Sequence, residues 1–209
     1  MRTLLTGIEK ERQRIAQELH DGSGVSLSTL KMKLHLLKDK ASEQDSTGNI
    51  NDLMKEVDRI YEDIRSISHN LMPKTLSKLG LYPALDELLD QFRIAAPQTR
   101  FHYYRKTSVR RLNENATINI FRIIQELLTN IVKHANANEV SLQLIDHPDA
   151  LVISVEDDGI GFDTREVKTG IGITSLESRV QMLAGSLYMD SSPQNGTFVS
   201  VSVPLKSLD

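Results

Sequence analysis

The chain has 209 residues, which is enough for one large domain or two small ones. With 39% hydrophobic residues, 25% charged residues and a net charge of −3, it has the composition neither of a disordered chain nor of a basic nucleic-acid-binding protein. Cysteine is absent, which excludes disulfides, thiol catalysis and cysteine-rich zinc sites. No apolar run approaches the roughly 18 residues of a membrane span, and the N-terminus has no secretory signal pattern. The sequence predicts a cytoplasmic protein, either complete or as the cytoplasmic part of a longer one.

Before Pro73, apolar residues recur every three or four positions, which predicts two amphipathic helices separated by the polar stretch 41–48. The apolar stripe of the first helix contains Ile8, Ile15, Leu19, Leu27, Leu30, Leu34 and Leu37. The stripe of the second contains Ile50, Leu53, Val57, Ile60, Ile64, Ile67 and Leu71. One helical hairpin cannot bury both stripes by itself, so the sequence predicts a homodimeric four-helix bundle. A monomeric hairpin packed on the second half of the chain is the less favoured alternative.

After about residue 97 the pattern changes to interleaved strands and helices, which predicts an α/β sandwich. The predicted strands are 101–105, 140–145, 151–155 and 197–203, the last of them resembling an edge strand. The predicted helices are 113–135 and a segment that ends near Leu183.

The whole chain is therefore expected to be α+β, with a domain boundary in its middle. The predicted parts are a helical domain 1–78, a linker 79–97 and a second domain 98–209. The linker contains Gly80, Pro83 and Pro97, and it is the expected hinge between the domains.

The most distinctive residues of the first half are His20 and Asp21, which are followed by Gly22 and Gly24. If Leu19 lies on the apolar stripe, His20 points toward solvent. A neighbouring carboxylate can hold an imidazole in one tautomer and accept its proton while the other nitrogen attacks an electrophile. His20 is therefore a candidate nucleophile, although an ordinary surface histidine gives the same local pattern.

In the second half, Glu126 and Asn130 are four residues apart and hence on one face of the predicted helix. The side-chain oxygen of Asn130 suits a Mg²⁺ ion that keeps phosphates and waters as its other ligands. Lys133 and His134 lie one turn further along and can donate to phosphate oxygens. The alternative is a helix with an ordinary polar outer face.

Two glycine clusters follow. Asp157 ends a predicted strand and precedes Gly159 and Gly161, which places a carboxylate at a strand end beside a sharp backbone turn. Such a carboxylate can accept a hydrogen bond from the exocyclic amine of adenine, although an acidic turn without a ligand has the same residues. Gly170 and Gly172 precede a predicted helix, whose N-terminus offers N–H groups to phosphate.

In these motifs the sequence resembles a sensor histidine kinase of the subfamily that includes NarX, DesK and LiaS, over essentially its whole length. The matching segments are ERQRIAQELHDG, SHNLMPKTLSKLGLYPALDEL, QELLTNIVKHANA, VEDDGIGFD, GIGITSLESRV and NGTFVSVSVPL. The first two resemble the dimerisation and phosphoacceptor domain with its exit linker. The other four resemble, in the family's order, a kinase-type ATP-binding domain of the Bergerat type.

The resemblance implies a role for each motif residue. His20 would be phosphorylated, and Asp21 would be its base or orienting group. Asn130 would bind Mg²⁺ with Glu126 nearby, while Lys133 and His134 would lie near the phosphates. Asp157 would accept from the adenine amine. The other implied nucleotide-site residues are Gly159, Gly161, Gly170, Gly172 and Thr197.

The implied function is autophosphorylation of His20 by ATP, followed by phosphoryl transfer to an aspartate of a response regulator. The implied partners are a second copy of the chain and a receiver domain joined to a helix-turn-helix output domain, with no direct contact to nucleic acid. A membrane would be reached only through a sensor region that this chain lacks. Two alternatives stay open: an ATPase of the gyrase and chaperone type, in which Glu126 activates water, and a dimeric scaffold that binds ATP without catalysis.

One position departs from the subfamily pattern. A glutamine linked to dephosphorylating the partner often stands five residues after the phosphoacceptor, and here that position is Val25. A valine side chain neither donates nor accepts a hydrogen bond. The sequence therefore predicts that kinase and phosphotransfer activity are retained, and that phosphatase activity is weak or is provided in another way.

Overall fold

A computed structural model shows two compact units, Met1–Lys74 and Thr75–Asp209. It describes residues 7–8, 11–12, 14–15, 19, 23, 25–40, 51, 53–61, 64, 73–107, 112–163 and 171–208. Over those residues, no helix is both long and apolar enough to cross a membrane.

The first unit contains helix α1 (Val25–Lys40) and a second helical segment at 53–61. Lys31 Nζ lies 2.7 Å from Asp58 Oδ1, so the two segments are side by side. This agrees with the predicted helical hairpin. Salt bridges this exposed stabilise a fold only weakly, so the apolar residues must provide most of the contact energy.

The two apolar stripes of this hairpin are only partly covered. Leu34 and Val57 are buried. By contrast, Leu30, Leu37 and Leu53 are 45%, 56% and 55% exposed. Exposing these leucines to water is unfavourable, and the predicted dimeric bundle would bury them.

The second unit begins with two helices, α2 (Lys74–Leu79) and α3 (Leu81–Ala95). Most of the predicted linker 79–97 is thus helix α3, whose Leu85, Leu88 and Leu89 are buried. The division between the units falls at Lys74, before the predicted linker begins.

Two residues explain why this helix was not expected. Pro83 lies in the first turn of α3, where its missing N–H costs no helical hydrogen bond. Gly80 has a φ of 85° and separates α3 from α2. Thr75 of α2 then donates to Glu87 of α3 over 2.5 Å.

A five-stranded sheet with the order β1-β2-β3-β5-β4 forms the centre of the second unit. Its strands are β1 (Arg100–Lys106), β2 (Glu139–Asp146), β3 (Ala150–Asp157), β4 (Ser186–Ser191) and β5 (Thr197–Pro204). β1 pairs parallel with β2, and the other pairs are antiparallel. Buried residues alternate along β2, β3 and β5, so one face of the sheet supplies the core.

The prediction of an edge position for the last strand was wrong. β5 lies between β3 and β4, and the edges of the sheet are β1 and β4. Pro204 suggested an edge because proline cannot donate to a ladder, but it is the final residue of β5 and interrupts no bond in the middle of the strand. Strand β4 was not predicted from the sequence, because only Leu187 and Met189 alternate in it as apolar residues.

Helix α4 (Glu114–Asn130) is the predicted amphipathic helix, and it contacts α3 and helix α5 (Ile171–Met182). The side chain of Asn113 caps its start and accepts from the N–H of Ala116 at 2.8 Å. Its last predicted turn is a π-helical turn, Ile131–Ala135, which ends at Asn136 with a φ of 50°. π turns of this kind are frequent at functional sites.

Candidate nucleotide-binding site

A cavity of about 500 Å³ is lined by residues of α4, its π turn, α5 and strands β3, β4 and β5. It brings together six residues that the sequence analysis selected: Asn130, His134, Asp157, Gly161, Gly172 and Thr197. Three others, Glu126, Lys133 and Gly159, lie beside these residues in the chain but do not line the cavity. His20, Asp21 and Gly170 lie outside the described residues.

Asp157 is the last residue of β3 and is only 4% exposed. Its Oδ1 accepts from the N–H of Gly159 at 2.9 Å, and the Thr197 side chain also forms a hydrogen bond to it. Burial raises the pKa of this carboxyl above its ordinary value, and those two hydrogen bonds oppose the rise. The cavity therefore has a nearly dry acceptor in its wall, which suits an amine on a planar base.

Gly196 allows the turn beside Asp157 to form. Its φ is 66°, and a Cβ there would lie 1.9 Å from the carbonyl oxygen of Asp157. Its N–H donates to the carbonyl of Gly159 at 2.9 Å. Any larger residue would push β5 away from the end of β3.

Glu126 and Asn130 lie one turn apart on α4, as predicted. A Cβ on Gly172 would lie 2.7 Å from Glu126 Oε1 and 3.8 Å from Asn130 Nδ2, so the first turn of α5 begins against this pair. A carboxylate and an amide oxygen are hard donors of the kind that Mg²⁺ takes together with phosphate and water. The donor set therefore fits that ion, and the helix N-terminus beside it favours an anion.

The apolar lining of the cavity was not selected from the sequence. It consists of Leu127, Ile131, Ala135, Val155, Ile160, Phe162, Ile173, Met189 and Val199. Helical and strand periodicity could have found part of it, since Leu127 precedes Asn130 by one turn and Val155 lies on the same strand face as Asp157. Met189 could not be found in this way because strand β4 was not predicted.

Ser191 of β4 is a polar residue of the site that was not predicted from the sequence. Its hydroxyl oxygen accepts from the N–H of Phe162 at 3.0 Å and donates to the carbonyl of Gly196 at 2.8 Å. It also lies 3.1 Å from the hydroxyl of Thr197. Ser191 therefore holds three segments of the cavity wall together.

Two protein-family models match the chain. Residues 11–76 match a model described as "Histidine kinase". Residues 115–207 match a model described as "Histidine kinase-, DNA gyrase B-, and HSP90-like ATPase". The order of the two matches is the order in which the motifs occur along the chain.

Curated relatives match nearly the whole chain. The signal transduction histidine-protein kinase/phosphatase UhpB of Salmonella typhimurium is 31% identical over 96% of this chain and 40% of its own length. The oxygen sensor histidine kinase NreB of Staphylococcus carnosus is 30% identical over 98% of this chain and 59% of its own length. The chain thus spans about half the length of the curated relatives it matches.

The fold also matches a solved structure, the histidine kinase domain of the blue-light activated histidine kinase from Erythrobacter litoralis EL346. The TM-score is 0.56 over 87% of this chain and 94% of that chain. At 15% identity this likeness concerns the fold alone. Since its two halves match the family models in the order that the motifs predicted, the chain belongs to the histidine kinase family.

Proposed function

We propose that this chain is the catalytic core of a protein-histidine kinase, which moves the γ-phosphoryl group of ATP to His20 and then to an aspartate of a response regulator. The observation that carries the proposal is that Asp157, which is buried, and Asn130, which is half-buried, line one cavity beside the N-terminus of α5. Binding of ATP needs both an acceptor for the adenine amine, here Asp157, and a residue that binds the metal ion at the phosphates, here Asn130.

The proposed chemical step uses little more than positioning. A neutral imidazole nitrogen of His20 attacks the γ-phosphorus, so that an N–P bond forms while the O–P bond to ADP breaks. Asp21 accepts the proton of the other ring nitrogen. An imidazole with the ordinary pKa near 6.5 is mostly neutral at pH 7. Such a nucleophile needs only modest activation. Phosphoryl transfer then depends on orientation and charge neutralisation.

In this proposal the residues around the cavity bind and orient the nucleotide. Asp157 and Thr197 hold the base, and the apolar wall excludes water from its faces. Asn130, with Glu126 nearby, would hold Mg²⁺, which supplies charge neutralisation on the phosphates when bound. Lys133 and His134 of the π turn are exposed and free to reach phosphate oxygens.

The proposed partners are a second copy of this chain and a response regulator with a receiver domain and a helix-turn-helix output domain. Exposure of Leu30, Leu37 and Leu53 supports the homodimer. The match of residues 11–76 to a histidine kinase model supports phosphotransfer to a regulator. We place the reaction in the cytoplasm, where ATP is available, with any membrane contact made through a sensor region outside this chain.

Autophosphorylation tests the proposal directly. The full chain and its His20→Gln variant are incubated with γ-labelled ATP and Mg²⁺, and the bound label is tested in acid and in alkali. We expect label only on the unmodified chain, stable in alkali and lost in acid, as a phosphohistidine requires.

The same experiment separates the alternatives. ATP hydrolysis without label on either protein would replace the kinase with an ATPase in which Glu126 activates water. ATP binding with neither label nor hydrolysis would leave the non-catalytic scaffold.

A further inference from the structure

The turn after β3 is fastened to the segment after the π turn by a side chain that no motif role covers. Asp158 Oδ1 accepts from the backbone N–H of Asn138 at 2.7 Å and from that of Glu139 at 2.8 Å. The N–H of Asp158 donates to the carbonyl of Glu139 at 3.3 Å. One residue thus makes three bonds to two consecutive residues at the start of β2.

A fourth bond extends this connection. The N–H of Ile160 donates to the carbonyl of Ala135 at 2.8 Å, and Ala135 is the last residue of the π turn. Asn136, which follows Ala135, adopts the left-handed conformation, so the chain reverses sharply between the π turn and β2. The segment 135–139 and the turn 157–160 are therefore joined by four hydrogen bonds.

The two segments joined by these bonds belong to different parts of the proposed nucleotide site. The turn includes Asp157, on the side proposed for adenine. The π turn carries Lys133 and His134, on the side proposed for the phosphates. We propose that Asp158 is a positioning residue that fixes the distance between the adenine-binding and phosphate-binding sides of the site; this inference rests on the proposed function.

The chemistry of Asp158 suits this role better than a role in folding. A carboxylate that accepts two backbone N–H groups makes charge-assisted hydrogen bonds, which are short and directional. The same bonds hold the pKa of Asp158 below its ordinary value, the bond from Glu139 most of all. Asp158 is exposed, as are Asn138 and Glu139, so water can replace its bonds when the side chain is removed.

If Asp158 fixes this distance, its loss should weaken the binding of ligands that contact both sides of the site more than the binding of ligands that contact only the adenine side. ATP and ADP must reach both sides at once, whereas adenosine needs only the side of Asp157. In Asp158→Ala we expect the affinity for ATP and ADP to fall about tenfold, and the affinity for adenosine to change less than about twofold. Asp158→Asn keeps an accepting oxygen and should restore most of the loss.

Calorimetric titration of the full chain with ATP, ADP and adenosine measures these ratios. Glu156→Ala is the matched control, because it removes an exposed carboxylate two residues earlier, on the face of β3 opposite to Asp157. An equal loss for all three ligands, or no loss for ATP, would overturn the positioning role. A wild-type chain that binds no adenine nucleotide would instead refute the proposed function before the variants are compared.

Discussion

Asp157 holds a carboxylate almost out of water, and burial raises its pKa above the ordinary value. Well below the ordinary pKa, the folded and unfolded chains both carry the proton, and the stabilisation from the raised pKa is fully present. As the pH rises through the raised pKa of the folded state, the folded chain must accept a buried charge and that stabilisation is lost. At neutral pH this residue therefore reduces stability in exchange for an acceptor in the cavity.

Asp157→Asn should separate these two effects. The amide oxygen can still accept from Gly159 and Thr197, but it carries no charge to bury. We expect the second unit to melt at the same temperature as the wild type or up to about 3 °C higher at pH 7, with the difference closing toward pH 4. ATP affinity should fall at least about tenfold with the loss of the charged acceptor. Thermal unfolding at several pH values and ATP titration measure both, and a lower melting temperature at pH 7 would contradict the argument.

Gly196→Ala tests the close approach of β5 to β3. The new Cβ would meet the carbonyl oxygen of Asp157 and would hold a positive φ, so we expect a loss of about 2–4 kcal/mol and of ATP binding. Gly80→Ala is the matched control, since Gly80 also has a positive φ but no atom within 4 Å of the new Cβ. It should cost about 1–2 kcal/mol and leave ATP binding intact. Equal effects of the two variants in denaturant unfolding and ATP titration would remove steric contact as the cause.

At the scale of elements, the helical hairpin presents leucines to water at regular intervals. Leu37 of α1 is 56% exposed, although it lies on the same stripe as buried Leu34. In a dimeric bundle this stripe would face the partner helices, and a charge placed there would be desolvated twice, once in each subunit.

Leu37→Glu should therefore dissociate the dimer. We expect its dissociation constant to rise at least tenfold, or about 1.4 kcal/mol, measured by sedimentation. Met32→Glu is the control, because Met32 lies on the same helix, is 64% exposed and is off the stripe. If both variants dissociate equally, or if the wild type is a monomer, the stripe is not the dimer interface.

The elements differ in how far the sequence determines them. Helix α4 was predictable because its cap at Asn113 and its apolar period are both local features. Strand β4 was not, since Leu187 and Met189 are its only alternating apolar residues and both are only half-buried. Helix α3 was hidden by Pro83, which is harmless in a first turn but typical of linkers. The π form of Ile131–Ala135 has no sequence signal in the apolar pattern that predicted the helix.

The residues of the candidate site also differ in how far the sequence could predict them. Charged and glycine residues such as Asp157 and Gly172 could be selected because polar motifs are rare and their spacing is specific. The apolar wall and Ser191 could not, because an apolar residue in a strand has the same pattern whether it faces a cavity or the core. The sequence thus predicted six polar and glycine residues that line the cavity, and it missed the apolar wall and Ser191.

At the scale of the whole molecule, the proposed phosphoacceptor and the proposed nucleotide site belong to different units, on either side of the division at Lys74. The proposed autophosphorylation therefore uses both units. Position 25 belongs to the first unit, where it begins α1 five residues after His20. We expect a residue there to act on the phosphorylated receiver domain rather than on nucleotide binding.

Val25→Gln should add phosphatase activity to the kinase. A glutamine amide both donates and accepts, so it can orient a water toward a phosphorylated aspartate, which valine cannot do. We expect loss of phosphate from a phosphorylated receiver domain to accelerate at least about tenfold, while autophosphorylation stays within about twofold of the wild type. Val25→Ala removes the bulk of the side chain without supplying an amide, and it should behave like the wild type. If the alanine variant accelerates dephosphorylation as much as glutamine does, access of water rather than its orientation limits the reaction, and the hydrogen-bonding argument for position 25 fails.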